Sequence, residues 1–382
     1  MISINSVSTK NHIKNKKLLV LIISIVLIVV LFTSSLFIVY KLIITNVDFD
    51  DGDGVWDVVL DGAVFVGSEG ELVVAVAEAG FGVSTVIVLN RDVALNGSLV
   101  ISEGKNVTLT SRGRFGGGFF GLFGADGERV VVVEGGGWLC VNGVVISHEV
   151  GVVGGGVTVE AGGEFVLVKG KISGNILDAG KYGGGVYNEG KFRMIGGEIS
   201  NNNASESGSS WYHGLTTWFA VGGGVYNCEG GVFEMYGGSI HHNIGQRGGG
   251  VCNVGNFSML GGLIAKNTSG GVLNKSVFSM FGGSIANNEF GGVDNQFTFS
   301  MFGGSIIKNT VGGGMGNSGV FTMWGGLIAN NIAERSGGGV YSSGSGGVVV
   351  FEGGEVVDNK SKSGEGDNIY VEDKDGKVVL IR

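Results

Sequence analysis

The sequence predicts an all-β chain: a parallel β-helix solenoid with an amino-terminal capping helix, preceded by one transmembrane helix. Three observations carry this prediction. A unit reading G-G-(G)-V-x-N and then F-x-M-x-G-G-x-I-x-x-N recurs through the carboxyl-terminal half. The 382 residues include 77 Gly and no Pro. Residues 18–40 form an uncharged apolar run of 23. Collagen is excluded because there is no strict three-residue period and no proline ring to pre-set the backbone. Disorder is excluded because 43% of residues are hydrophobic and only 15% charged, so there is ample surface to bury. The sequence itself offers no reason for the missing proline.

In chain order, residues 1–17 are a basic tail with Lys10, Lys14, Lys16 and Lys17. A helix over the following apolar run rises ~1.5 Å per residue and spans a ~30 Å hydrocarbon core, so 18–44 is assigned as the anchor. Only Lys41 follows closely, so the tail is expected in the cytoplasm and the rest outside, as in a single-pass cell-membrane protein. A cleaved signal peptide shares the charged front, but this apolar run is long and no A-x-A-like site follows it. Residues 45–67 read as an acidic linker. Their D-G-D-G-x-x-D core resembles the calcium loops of dockerin and thrombospondin-type repeats, which makes Asp51, Asp53 and Asp57 calcium candidates. Phe49 occupies the first ligand position and no Glu closes the loop, so an acidic stalk accounts for the same letters. No other cofactor is expected.

Residues 68–150 read as the cap and first coils: a short helix over 68–79, then strands over 85–90, 99–102, 107–111, 129–133 and 138–147. Residues 151–382 are the Gly-rich repeats. Copies of the core start at Phe165, Phe192, Phe233, Phe257, Phe278, Phe299, Phe321 and Val349, 21 to 41 residues apart. A 21-residue unit is too short for a helix pair, and its β-branched and aromatic residues alternate with polar ones. Phe and Met of F-x-M therefore point inward, while the middle residue (Arg193, Glu234, Ser258, Ser279, Ser300, Thr322) points out. Stacked coils place Val186, Val225, Val251, Val272 and Val293 in one column and the Phe, Met and Ile residues in three others. Asn falls three residues after the Ile in all eight copies, from Asn175 to Asn359, and a second series follows the Val, from Asn188 to Asn317. A stacked amide donates to one neighbouring coil and accepts from the other, so both series read as structural ladders. Residues 368–371 and 377–381 read as a last irregular coil.

The net charge is −9 and every acidic residue follows residue 45, a poor match to phosphate backbones, so no nucleic-acid partner is expected. Cys140, Cys228 and Cys252 are odd in number. Cys228 and Cys252 sit at different offsets in neighbouring coils, beyond disulfide reach, and read as free thiols. His213, His241 and His242 read as solvated bend residues rather than a zinc site. Hydrolysis or lysis of a polysaccharide needs acids in one column of adjacent coils. The outward columns instead mix acids with Ser, Thr and Leu, and Arg193 beside Glu234 reads as a surface ion pair. Catalysis is therefore not expected. Two features read as recognition surfaces. The residue after each Met is Ile195, Tyr236, Leu260, Phe281, Phe302 or Trp324, an outward stripe able to stack on sugars, dock a partner or simply stabilise the bend. An insertion near 203–221 carries Trp211, Tyr212, Trp218 and Phe219.

The segment GGGVYNEGKFRMIGGEISNN and its later copies resemble the Gly-rich right-handed β-helix repeats of bacterial and archaeal cell-surface adhesin-like proteins, of the pectin-lyase-like superfamily. The G-G-x-I and I-x-x-N elements are also similar to repeats of chlamydial polymorphic outer-membrane proteins, without the carboxyl-terminal barrel that autotransport needs. The resemblance covers roughly residues 68–382 and implies right-handed coils displayed at the cell surface as a structural or adhesive element. Its expected partners are an extracellular polysaccharide or surface protein, and it supplies no catalytic residue. A polysaccharide lyase or glycoside hydrolase of the same fold is the alternative.

Overall fold

A computed structural model describes residues 62–82, 84–113, 117–177, 181–204, 222–343, 346–372 and 377–380. The anchor at 18–44, the calcium candidates Asp51, Asp53 and Asp57, and the insertion residues Trp211, Tyr212, His213 and Trp218 lie outside them. Among the described residues no helix is long and apolar enough to cross a membrane.

From residue 63 onward the chain is an all-β solenoid of parallel strands, consistent with a β-helix. Each regular coil contributes three short strands. The V-x-N strands form an 11-stranded parallel sheet running from Leu99–Ile101 to Ile369–Val371. The F-x-M and G-x-I strands form two rows that belong to one 22-stranded sheet. The rows are joined because Trp138–His148 and Glu164–Ser173 run unbroken through the bend that later coils make with a Gly pair.

Register is that of identical letters. Phe165 pairs with Phe192, and the column continues through Phe233, Phe257, Phe278 and Phe299 to Phe321. These rings are fully buried and stack at centroid distances of 4.6 to 5.2 Å. The Met column runs from Met194 to Met323, and the Ile column from Ile146 to Val356. Leu139 and Val107 continue the Phe column into the first coils, where an aliphatic replaces the ring.

The cap is a helix, α1 (Glu69–Glu78). Ser68 is its N-cap: the hydroxyl accepts from the Glu71 N–H, while the Glu71 carboxylate accepts from the Gly67 N–H, reciprocal bonding close to a capping box. Leu72, Ala75 and Val76 are its buried face and join the same core as Val66, Ile87 and Leu89. Lys105 donates to the carbonyls of Ala77 and Ala79 at its end.

The Asn ladders form as expected. From Asn175 to Asn331 each side-chain Nδ2 donates to the Oδ1 of the next coil's Asn at 2.8 to 3.1 Å. The same Oδ1 also accepts the backbone N–H of the Asn below, and the second amide hydrogen reaches an Ile carbonyl. The series ends on buried His148 at one side and Asn368 at the other. Asn267 and Asn274, which open the glycosylation-type triplets Asn267-Thr-Ser269 and Asn274-Lys-Ser276, are buried in the ladders.

Candidate functional site

The outward stripe exists, with a geometry that narrows its chemistry. Phe281 stacks on Phe302 at 4.9 Å and 5°, and Phe302 on Trp324 at 6.3 Å and 5°. Phe302 and Trp324 are 40% and 44% exposed, and Tyr236 and Phe281 are half-buried. Ring planes lying nearly parallel from coil to coil turn their faces to one another, so solvent meets mostly edges. A sugar stacking on such a row needs an aromatic face, and the next position after Trp324 is filled by Glu352.

Arg193 is not a lone surface partner of Glu234. The guanidinium pairs with both Glu164 and Glu234, Lys191 lies 3.5 Å from Glu234, and the Arg193 side chain is only 15% exposed. The result is a half-buried network across three coils. His241 and His242 share a 2.7 Å contact between their Nδ1 atoms. Burial holds the His241 imidazole below its ordinary pKa, aided by His242 and Lys171 and opposed by Glu198. Among the described residues no group of three or more His, Cys, Asp or Glu side chains is placed to hold a metal. The three cysteines are buried free thiols, and burial pushes Cys140 and Cys252 up to about 12 and Cys228 to about 11. None is poised as a nucleophile.

Sequence reasoning passed over the outer face of the 11-stranded sheet. Its outward row, in register, reads Thr158, Tyr187, Tyr226, Cys252, Leu273, Asp294, Gly316, Tyr341, Tyr370. Tyr226 stacks on Tyr187 at 5.8 Å and on Tyr182 at 4.8 Å. Cys252 and Leu273 are buried beside Tyr182, Tyr226 and Val254. Arg129 closes this end: it donates to the carbonyls of Tyr182 and Gly183 at 2.6 Å and lies over the Tyr187 ring. Burial lowers its pKa to about 10.

The turns leading into these strands differ in length, which carves a recess. The turn at 244–250 has seven residues and that at 332–339 has eight, whereas 268–271 and 289–292 have four each. Short turns between long ones leave a hollow of about 320 Å³ lined by Gln246, Arg247, Ser269, Leu273, Phe290 and Asp294. Phe290 is 57% exposed at φ 66°, a left-handed conformation uncommon outside Gly and Asn. Asp294 accepts from Gln296 Nε2 at 3.2 Å. Asp294 is itself exposed on the sheet surface, and the turns around it desolvate the carboxyl enough to raise it, opposed by Arg247, Gln296 and Lys275. One carboxyl group, one guanidinium and an amide thus stand beside apolar walls, a few polar groups converging next to apolar surface. The turn-length variation and the break at Gly316 were the available signals.

Set against protein-family models, curated proteins and solved structures, the chain matches none of them. Its function therefore has to be argued from surface chemistry.

Proposed function

We propose that this chain is a non-catalytic, adhesin-like β-helix protein of right-handed, pectin-lyase-like type, held at a cell surface by residues 18–44 and binding extracellular glycans. The observation that carries the reading is the recess on the 11-stranded sheet, where Arg247, Gln246, Ser269 and Asp294 stand beside Leu273 and Phe290. Hydroxyl-rich ligands need paired donors and acceptors next to apolar surface. The aromatic residues Tyr236, Phe281, Phe302 and Trp324 at the bends after the F-x-M strands, which present edges more than faces, are proposed with Trp211, Tyr212 and Trp218 as further contacts, better suited to a surface protein than to a stacked sugar of a polysaccharide.

The alternative, a polysaccharide lyase or glycoside hydrolase, has one observation in its favour: the Asp294 carboxyl is raised, as a general acid requires. It lacks a second carboxylate among the recess-lining residues. Retention of the detergent-solubilised full chain on immobilised xylan, galactomannan, mixed-linkage glucan and polygalacturonate, with product analysis, separates the two. The expected result is retention without chain shortening, weakened at least tenfold by Arg247→Ala. Chain shortening abolished by Asp294→Asn overturns the non-catalytic reading.

A further inference from the structure

The outward row of the 11-stranded sheet lacks one side chain in its last five positions, Leu273, Asp294, Gly316, Tyr341 and Tyr370. A Cβ built on Gly316 would meet nothing within 4 Å, and its φ is not in the left-handed region, so neither space nor backbone demands glycine there. Tyr341 stacks on Tyr370 at 5.9 Å and 7°, with its hydroxyl donating to Glu372 at 3.1 Å. One face of that ring is thus covered from the coil above, and the coil below it in register is Gly316. Asp294, fixed by Gln296, stands one coil further down.

Coils are ~4.8 Å apart, so Asp294 and Tyr341 are separated along the row by roughly 9 to 10 Å. A ring placed at the vacant level lies one coil step from each. That step is a stacking distance, as the 4.9 Å between Phe281 and Phe302 shows. The same level adjoins the recess through Asp294, which lines both.

We propose that the vacant rung at Gly316 is a binding subsite for one pyranose ring of a polysaccharide, its C–H face against Tyr341 and its hydroxyls donating to the Asp294 carboxylate. A pyranose has both surfaces this gap needs: an apolar face for the tyrosine ring and hydroxyls for a carboxylate whose lone pairs Gln296 does not exhaust. A bare cation is a poorer occupant because Arg247 and Lys275 already act on Asp294. The inference rests on the glycan-binding reading and goes further by naming the contact residues and the ring.

The test fills the rung. Gly316→Tyr extends the Tyr341–Tyr370 stack, so it is expected to keep the wild-type thermal midpoint or raise it. Retention of the full chain on the polysaccharide that holds the wild type is expected to fall at least tenfold. Tyr341→Ala, confined to the outer surface, is expected to cause a similar loss, and Tyr341→Phe to keep retention within about twofold. If the wild type is retained and both Gly316→Tyr and Tyr341→Ala are retained equally well, the subsite is overturned while glycan binding stands. If no member of the panel retains the wild type, both fall. Displacement by a Trp-rich peptide and by no soluble saccharide would place a protein ring there and also overturn the subsite.

Discussion

From the coil of Ile199 to that of Val356, two places after the core Ile or Val the backbone turns through φ of 53 to 57° at Asn201, His242, Lys266, Asn287, Lys308, Asn330 and Asp358. This left-handed step bends the chain and delivers the following Asn into its ladder, where burial makes every amide hydrogen bond costly to lose. Asn288→Ala strips the acceptor from the backbone N–H and side-chain amide of Asn267 and the donor from the Ile264 carbonyl. At ~1 to 3 kcal/mol for each buried group left unpaired, a loss of roughly 3 kcal/mol is expected, read as a lower denaturant midpoint. Val311 shows the opposite imbalance, a β-branched residue held at φ 66°. Relief of ~1 to 2 kcal/mol of left-handed strain outweighs the ~0.5 to 1 kcal/mol of entropy that glycine adds, so Val311→Gly should be slightly stabilising. Asp294 gives a pH signature. Its carboxyl is raised, so the folded state holds the proton more tightly than the unfolded chain. Stability from this group is complete below the ordinary Asp range and falls as pH rises through the raised value. Thermal midpoints of Asp294→Asn and wild type should match at about pH 3 and diverge toward neutrality with the variant higher; a gap that widens toward acid would reverse the sign argued here.

Within one coil, the bend between the F-x-M and G-x-I strands needs its second Gly for two reasons at once. Gly283 has φ 81°, and a Cβ there would lie 2.7 Å from both the Gly262 carbonyl oxygen and the Met259 methyl. Gly283→Ala should therefore destabilise clearly, whereas Gly316→Ala should be neutral or stabilising by up to ~1 kcal/mol; equal losses at both sites would mean that glycine content as such governs stability. The Phe column is likewise a property of strands in register. Phe278 stacks on Phe257 and Phe299 at 4.6 Å each, and Phe278→Ala is expected to cost ~3 to 5 kcal/mol. These elements were legible in the sequence because inward letters repeat identically: α1 falls within the predicted 68–79, and the five early strands that were expected end within a residue or two of expectation, whereas the short strands Val64–Val66, Val93–Ala94 and Gly121–Gly124 were not expected. The left-handed position was not legible, because Asn, His, Lys and Asp share it and no composition rule joins them. The recess escaped for a similar reason. It is made by what the repeat leaves out, two four-residue turns, as the neighbouring rung at Gly316 is made by one missing side chain, and a reading built on recurring letters attends to what is present.

Across the whole solenoid, backbone pairing does not stop where strands stop. Turn residues also donate to the coil above, as Gly248 does to Ser269 and Gly270 to Glu289, or to the coil below, as Thr268 does to Asn243. Proline has no N–H to give, so coils that spend turn amides in this way have few positions left for it, a physical reason for its absence from the described coils. The same pairing means each coil is held almost entirely by its two neighbours, so stability should vary along the stack with local burial. Strand Ser284–Ala286 is half-buried at its first residue and buried at the next two, while its counterpart Glu355–Val357 alternates exposed, half-buried, exposed. The Phe column has by then given way to Val349, and the Asn series leaves its regular spacing at Asn368. Native-state hydrogen exchange should accordingly find the amides around 355–371 opening at lower free energy than those around 257–307. Asn288→Ala should lower protection mainly in the coils on either side of it. Uniform protection from one end of the stack to the other would instead mean a single cooperative unit, in which the ladders transmit stability over the full series of coils and not from neighbour to neighbour.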